Sequence, residues 1–205
     1  RLTDVTGVQT CALPILLVVA LPGSALAKAG NIEVGLAGSF WLESTCATTA
    51  NKTTASADQD FSGGASLFAQ YHVLDFLAVG GMLDLTGVAP KSHGGADDVI
   101  PVIGILGLAT AAYPMGPKGA FEPFLRFALG YGAFVPPKSA PARQDAEHGW
   151  VIKVLPGFQY NTKIGLGAFV EIGWSGHGFN QKIGGVDTRV VYHSAVVNLG
   201  LNYRF

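Results

Sequence analysis

From Asn31 to Phe205 the chain repeats one pattern, in which apolar residues alternate with small or polar ones at a period of two. Successive side chains of a β-strand point to opposite sides, so this period describes strands with two chemically different faces. NIEVGLAGSFWLE (31–43) places Ile32, Val34, Leu36, Phe40 and Leu42 on one face and Glu33, Gly35, Ala37 and Ser39 on the other. ASLFAQYHV (65–73) sets Leu67, Ala69, Tyr71 and Val73 against Ser66, Gln70 and His72. FLAVGGMLDLTG (76–87) sets Leu77, Val79, Leu83 and Leu85 against Gly80, Asp84 and Thr86. AFEPFLRFALGYGAFV (120–135) opposes Phe121, Pro123, Leu125, Phe127, Leu129 and Tyr131 to Glu122, Arg126, Gly130 and Gly132. WVIKVLPGFQY (150–160) opposes Trp150, Ile152, Val154, Phe158 and Tyr160 to Lys153, Gly157 and Gln159. LGAFVEIGWS (166–175) opposes Leu166, Val170, Ile172 and Trp174 to Gly167, Glu171 and Ser175. The last segment sets Val197, Leu199, Leu201, Tyr203 and Phe205 against Asn198, Asn202 and Arg204. IPVIGILGLATAAYP (100–114) is apolar on both faces, which leaves its orientation open.

These segments make about eight strands, most of them as long as the roughly 9–11 residues that cross a bilayer at a tilt. Their connections alternate in length. Short turns are expected at Leu74-Asp75, PMGPKG (114–119) and NTKIG (161–165), and long polar loops at 45–64, 89–99, 136–149 and 178–188. Short turns at one end and long loops at the other are the asymmetry of a barrel that spans the outer membrane.

The two faces decide between a soluble and a membrane barrel, since a soluble one hides its apolar face inside. Charged residues are only 13% of the 205-residue chain and hydrophobic ones 49%, whereas soluble domains carry about a quarter charged residues. Mean hydropathy is +0.36, yet no apolar run long enough for a membrane helix crosses the chain after its first residues. Nearly all strand charges share the small-residue face: Glu33, Asp84, Glu122, Arg126, Lys153, Glu171 and Arg204. Four acids and three bases can pair across a narrow lumen, and an unpaired buried charge would be costly. The aliphatic face must then point outward, into lipid. Trp150 and Trp174 lie on that face beside expected long loops, and Phe121, Tyr160, Tyr203 and Phe205 beside short turns or the terminus. Two aromatic girdles of this kind mark membrane interfaces. Trp41 departs from the scheme, because its parity points inward.

VVNLGLNYRF (196–205), with Leu201, Tyr203 and Phe205 on its apolar face, is similar to the C-terminal assembly signal of outer-membrane barrels. Together with FVEIGW (169–174) it resembles the small OmpA/OmpX-like and opacity-type porin-like barrels. The resemblance covers about Asn31 to Phe205, as a pattern rather than a rigid motif. It implies an all-β, closed up-and-down transmembrane barrel of the outer membrane, inserted by the barrel-assembly machinery, which recognises Phe205. The expected surroundings are outer-membrane lipid and lipopolysaccharide, the expected state a monomer, and no peptidoglycan-binding domain is expected after the barrel. A structural or surface-interaction role through long extracellular loops follows from the same resemblance, with an extracellular ligand of those loops as a partner.

The first residues are set apart. TGVQTCALPI (6–15) resembles a translated sequencing-library adapter, so residues 1–15, Cys11 included, are read as an assembly artefact. LLVVALPGSALA (16–27) reads as the remnant of a secretory signal peptide with Ala25-Leu26-Ala27 as its cleavage site, and the barrel domain as 28–205. Cys46 is then the one native cysteine and is expected as a free thiol.

Other chemistries are weaker. A net charge of −1 gives no electrostatic case for nucleic acid. Lipid A deacylases use a Ser/His/acid arrangement on the outer barrel surface, for which Ser175, His177, His193, Ser194 and Glu171 are candidates. Parity turns Ser175, His177 and Glu171 inward and His193 toward lipid, and the His-x-Ser-Asn order of that enzyme family is not found. The expectation is no catalysis, with a lipid A-modifying enzyme as one alternative. A narrow solute channel lined by Glu122, Arg126, Lys153 and Glu171 is another, although about eight strands enclose a space just filled by side chains. His93, Asp97 and Asp98 have no tight metal-site spacing, and GLGAF (165–169) lacks the helix a nucleotide loop requires. No cofactor or metal is expected.

Overall fold

The computed structural model describes residues 29–50, 53–58, 62–88, 100–116, 120–135, 147–183 and 186–205. Residues 1–27, for which an artefact and a signal remnant are expected, and the connections at 89–99 and 136–146, with His93, Asp97 and Asp98, lie outside the described residues. The described chain is all strand and turn: β1 (Ile32–Ala50), β2 (Thr53–Asp58), β3 (Ser62–Leu74), β4 (Leu77–Val88), β5 (Ile100–Ala112), β6 (Phe121–Phe134), β7 (Glu147–Asn161), β8 (Leu166–Ile183) and β9 (Val186–Arg204). Every neighbouring pair is antiparallel, in the order β1-β3-β4-β5-β6-β7-β8-β9, and β9 pairs back with β1. Eight strands therefore close a barrel. The ninth, β2, pairs only with the far end of β1, from Thr45↔Asp58 to Ala50↔Thr53.

Two of the expected long loops are in fact strand. The segment 45–64 continues β1 to Ala50 and folds back as β2, and 178–188 is the far end of β8 meeting the start of β9. Beyond the apolar belt the outer face need not be greasy, so Thr-, Ser- and Asn-rich strand looks like loop when polarity is the criterion. The turn expected at Leu74-Asp75 falls one residue later, at Asp75-Phe76, and the one at 161–165 stands where the pattern puts it; residues 117–119 of the third lie outside the described residues. Between β7 and β8, Gly165 takes φ 86°, a left-handed conformation that glycine adopts without steric cost, while Thr162 Oγ1 donates to the Leu166 carbonyl at 2.7 Å.

Burial follows the two faces. Leu36 is 58% exposed, Ile105 63%, Ile172 61% and Leu199 54%, all on the outer face, whereas Glu33, Asp84, Arg126, Lys153 and Glu171 are each at most 1% exposed inside. β5 resolves its ambiguity by sending apolar groups both ways: Val102, Leu106 and Leu108 inward, Ile103 and Ile105 outward. Trp41 does point inward, buried beside His177 with ring centroids 5.1 Å apart. The register shift falls after it, between Trp41 and Glu43.

The interior is more apolar than a charge-and-glycine face suggests. One cluster gathers Trp41, Val102, Phe134, Leu155, Phe179, Tyr192 and Val196; a second gathers Phe68, Met82, Leu106, Phe124, Val151 and Phe169. Inward glycines make room for these rings. A Cβ on Gly35 would stand 2.5 Å from the Phe68 ring, and one on Gly157 would stand 2.7 Å from Phe124. Phe68 and Phe124 in turn meet Phe169 edge-on, at 5.8 and 6.4 Å between centroids, the favoured geometry for aromatic pairs. Gly35→Val is expected to overpack this space and cost about 1–3 kcal/mol; the check is a lower midpoint temperature for loss of the folded band on unboiled gels.

Candidate functional site

The seven charged residues of the small-residue face all lie inside the barrel, and each has an opposite partner. Lys153 on β7 donates to Asp84 on β4 at 2.6 Å, and Thr86 donates to the other Asp84 oxygen at 3.1 Å. Arg126 on β6 bonds Glu171 on β8, whose second oxygen accepts from Asn198 at 2.8 Å. Arg204 on β9 bridges Glu33 on β1 and Glu122 on β6, with its Nη2 at 2.8 Å from Glu33 and 2.9 Å from Glu122. Arg204 and Glu33 are register partners on the paired strands β9 and β1, whereas the other ion pairs join strands that are not neighbours, so no single strand or hairpin contains them.

Alternation places the charges; neighbouring polar groups complete them. His72 Nε2 lies 3.2 Å from Glu33 Oε2, and Thr110 bridges Arg126 and Gln70. The Arg126 guanidinium also rests on Phe68, 4.2 Å from the ring centroid, so an aromatic face takes up part of its charge. His72, Gln70, Thr110 and Asn198 share the inward parity, but nothing in the sequence distinguishes them as partners before the strands are wrapped. A shallow recess at the short-turn end is lined by Glu33, His72, Glu122, Gln159 and Arg204, among others.

The candidate nucleophile–base pair is also interior. Ser175 Oγ and His177 Nε2 are 2.9 Å apart, and both residues are 1% exposed. Glu171 is engaged with Arg126 and Asn198. His193 sits on the outer face, stacked on Trp174, and Ser194 points inward to Ser44 at 2.9 Å. The structure thus divides the five deacylase candidates between two sides of the wall. Cys46 is a free, half-buried thiol on β1. GLGAF is the turn into β8 and the first residues of that strand. Among the described residues, no group of three or more His, Cys, Asp or Glu side chains is arranged to hold a metal.

On the outside, Leu201, Tyr203 and Phe205 are exposed along β9 and its terminus, and Phe121 stacks on Phe158 beside exposed Tyr160. Trp150 and Trp174 occupy the outer face toward the opposite end of the barrel. No described helix is long and apolar enough to cross a membrane. A closed antiparallel barrel with an apolar exterior and an ion-paired interior is the other structure that can, since closure leaves no backbone group unpaired in lipid. The fold is that of a small, multi-pass outer-membrane β-barrel. Among solved structures it is similar to the outer membrane protein OprG from Pseudomonas aeruginosa, at 16% identity and a TM-score of 0.51, over 87% of this chain and 97% of that one. It is also similar to Neisserial surface protein A, at 14% identity and a TM-score of 0.50, over 86% and 99% of the two chains. No protein-family model and no curated protein sequence matches the chain.

Charges this deeply buried are stable only in pairs. Glu171→Leu alone is expected to cost about 3–5 kcal/mol by stranding Arg126, and Arg126→Leu with Glu171→Leu to cost clearly less than the single change. Urea unfolding in detergent micelles, followed by tryptophan fluorescence, compares the two variants.

Proposed function

We propose that this outer-membrane barrel has a structural and surface-interaction role, exercised at its loop end, and no catalytic activity. The observation that carries the reading is the filled lumen. Ion pairs and two aromatic-rich clusters occupy the interior from wall to wall, and the contacting pair Ser175–His177 lies inside that packing, out of reach of lipid or solvent. A wall of this kind holds a platform. The extended ends of β1, β8 and β9, with β2 added at the edge of β1, form that platform. The platform faces the cell exterior and meets an extracellular ligand there. Leu201, Tyr203 and Phe205 serve the barrel-assembly machinery during insertion, Trp150, Trp174, Tyr160 and Phe121 seat the barrel at the two interfaces, and the barrel works as a monomer.

The test has two arms. Purified protein in planar bilayers is expected to show no steady conductance, and lipid A from expressing cells to keep its mass. A steady conductance lost on Arg126→Leu would support a solute channel instead. A lipid A mass change abolished by Ser175→Ala would make the protein an enzyme. Replacing residues 89–99 by a short Gly-Ser linker should leave the folded gel band intact and abolish whatever binding the wild type shows to an extracellular ligand.

A further inference from the structure

The outer face near the loop end carries a row of rings on four neighbouring strands. His193 on β9 stacks on Trp174 on β8, with centroids 5.6 Å apart and planes at 24°. Trp174 and Trp150 on β7 converge over Gly176, where a Cβ would meet them at 2.6 and 3.5 Å. Trp150 stands directly opposite Tyr131 on β6. Tyr131 stacks on His148 at 5.5 Å and 21°, and its hydroxyl bonds His148 Nδ1.

Glycine decides how these rings lie. Trp150 covers Gly178, its register partner, as Trp174 covers Gly176, and both glycines are buried although they belong to the outer face. Any larger side chain there would prop the indoles away from the sheet. With glycine they lie close against the strand.

We infer that this row is a binding platform for the saccharide headgroup of a glycolipid in the loop-side leaflet. The inference rests on the outer-membrane reading above. Toward the short turns, Leu129, Ile172 and Leu199 continue the exposed aliphatic belt; toward the loop end, the same face presents Asn180 and Arg189. The row therefore sits at the level where acyl chains give way to headgroups. Acyl chains need only aliphatic contact there. A pyranose ring has an apolar C–H face, which packs on a flat aromatic surface, and hydroxyls around its rim, which need hydrogen-bonding groups at the edges. The row supplies both, with an imidazole at each end and the Tyr131 hydroxyl beside one of them. His193 Nδ1 is buried without a partner, and a buried polar nitrogen is normally paired. Arg189, further along the same face of β9, supplies a cation for a headgroup phosphate.

The test uses the full barrel in nanodiscs containing either phosphatidylethanolamine alone or phosphatidylethanolamine with lipopolysaccharide. Native mass spectrometry after release into mild detergent counts the lipid retained on each barrel. The expected result is selective retention of lipopolysaccharide by the wild type, weakened about tenfold or more by Trp150→Leu with Trp174→Leu, a change equivalent to at least one decade in affinity. Leucine preserves the apolar belt, so the doubly substituted barrel should keep its folded gel band. If it does not, His148→Ala with His193→Ala, which leaves both indoles in place, must give the loss. Equal retention of both lipids by the wild type, or unchanged selectivity in the variants, would reduce the row to a general interfacial anchor and overturn the inference, with the barrel intact. A wild type without a folded band in either disc would sink the outer-membrane reading as well.

Discussion

Everything in this molecule depends on β9 hydrogen-bonding back to β1. In lipid an unpaired backbone N–H or C=O costs several kcal/mol, so an eight-stranded sheet with two open edges has no stable place there. The seam runs from Glu33↔Arg204 to Ala50↔Thr188, nearly the full length of both strands. Its register does more than pair backbones. It sets Arg204 beside Glu33 and within reach of Glu122 on the far wall, so closing the sheet and neutralising these two carboxylates are one event.

Closure also fixes what the lumen must hold. A barrel this narrow has room for side chains and little else, and its interior is solved with two materials. Cross-lumen ion pairs use long side chains from opposite walls, each hydrogen-bonded further to Thr, Asn or His. Between them, phenylalanines lie over glycines on neighbouring strands. The 28 glycines of the chain thus serve partly as space: Gly35 and Gly157 admit rings inside, and Gly176 and Gly178 admit indoles outside. The same device on both faces of one wall lets a thin sheet be densely packed within and smooth without.

Much of this is legible before any coordinates. Alternation assigns Leu36 to lipid and Glu33 to the lumen because a strand has only two faces, and an apolar belt on one of them fixes which is outside. Where both faces are apolar, as in β5, the pattern has no contrast and Val102 cannot be told from Ile103. Where the outward face turns small or polar, as at 45–50 and 178–183, strand is indistinguishable from loop. Trp41 looks misplaced only on the assumption that the lumen is wholly polar; the cluster it joins is drawn from six strands and is not visible in any one of them.

The sequence by itself determined the facing of nearly every residue and the confinement of charge to one face, since both follow from a local period of two. Only the tertiary structure decided which charge meets which. Lys153 and Asp84 are 69 residues apart, and Arg204 and Glu33 are 171 apart; their meeting depends on how far each strand is staggered against the next around the closed wall. That stagger is a property of the whole cylinder, settled when the last strand finds the first.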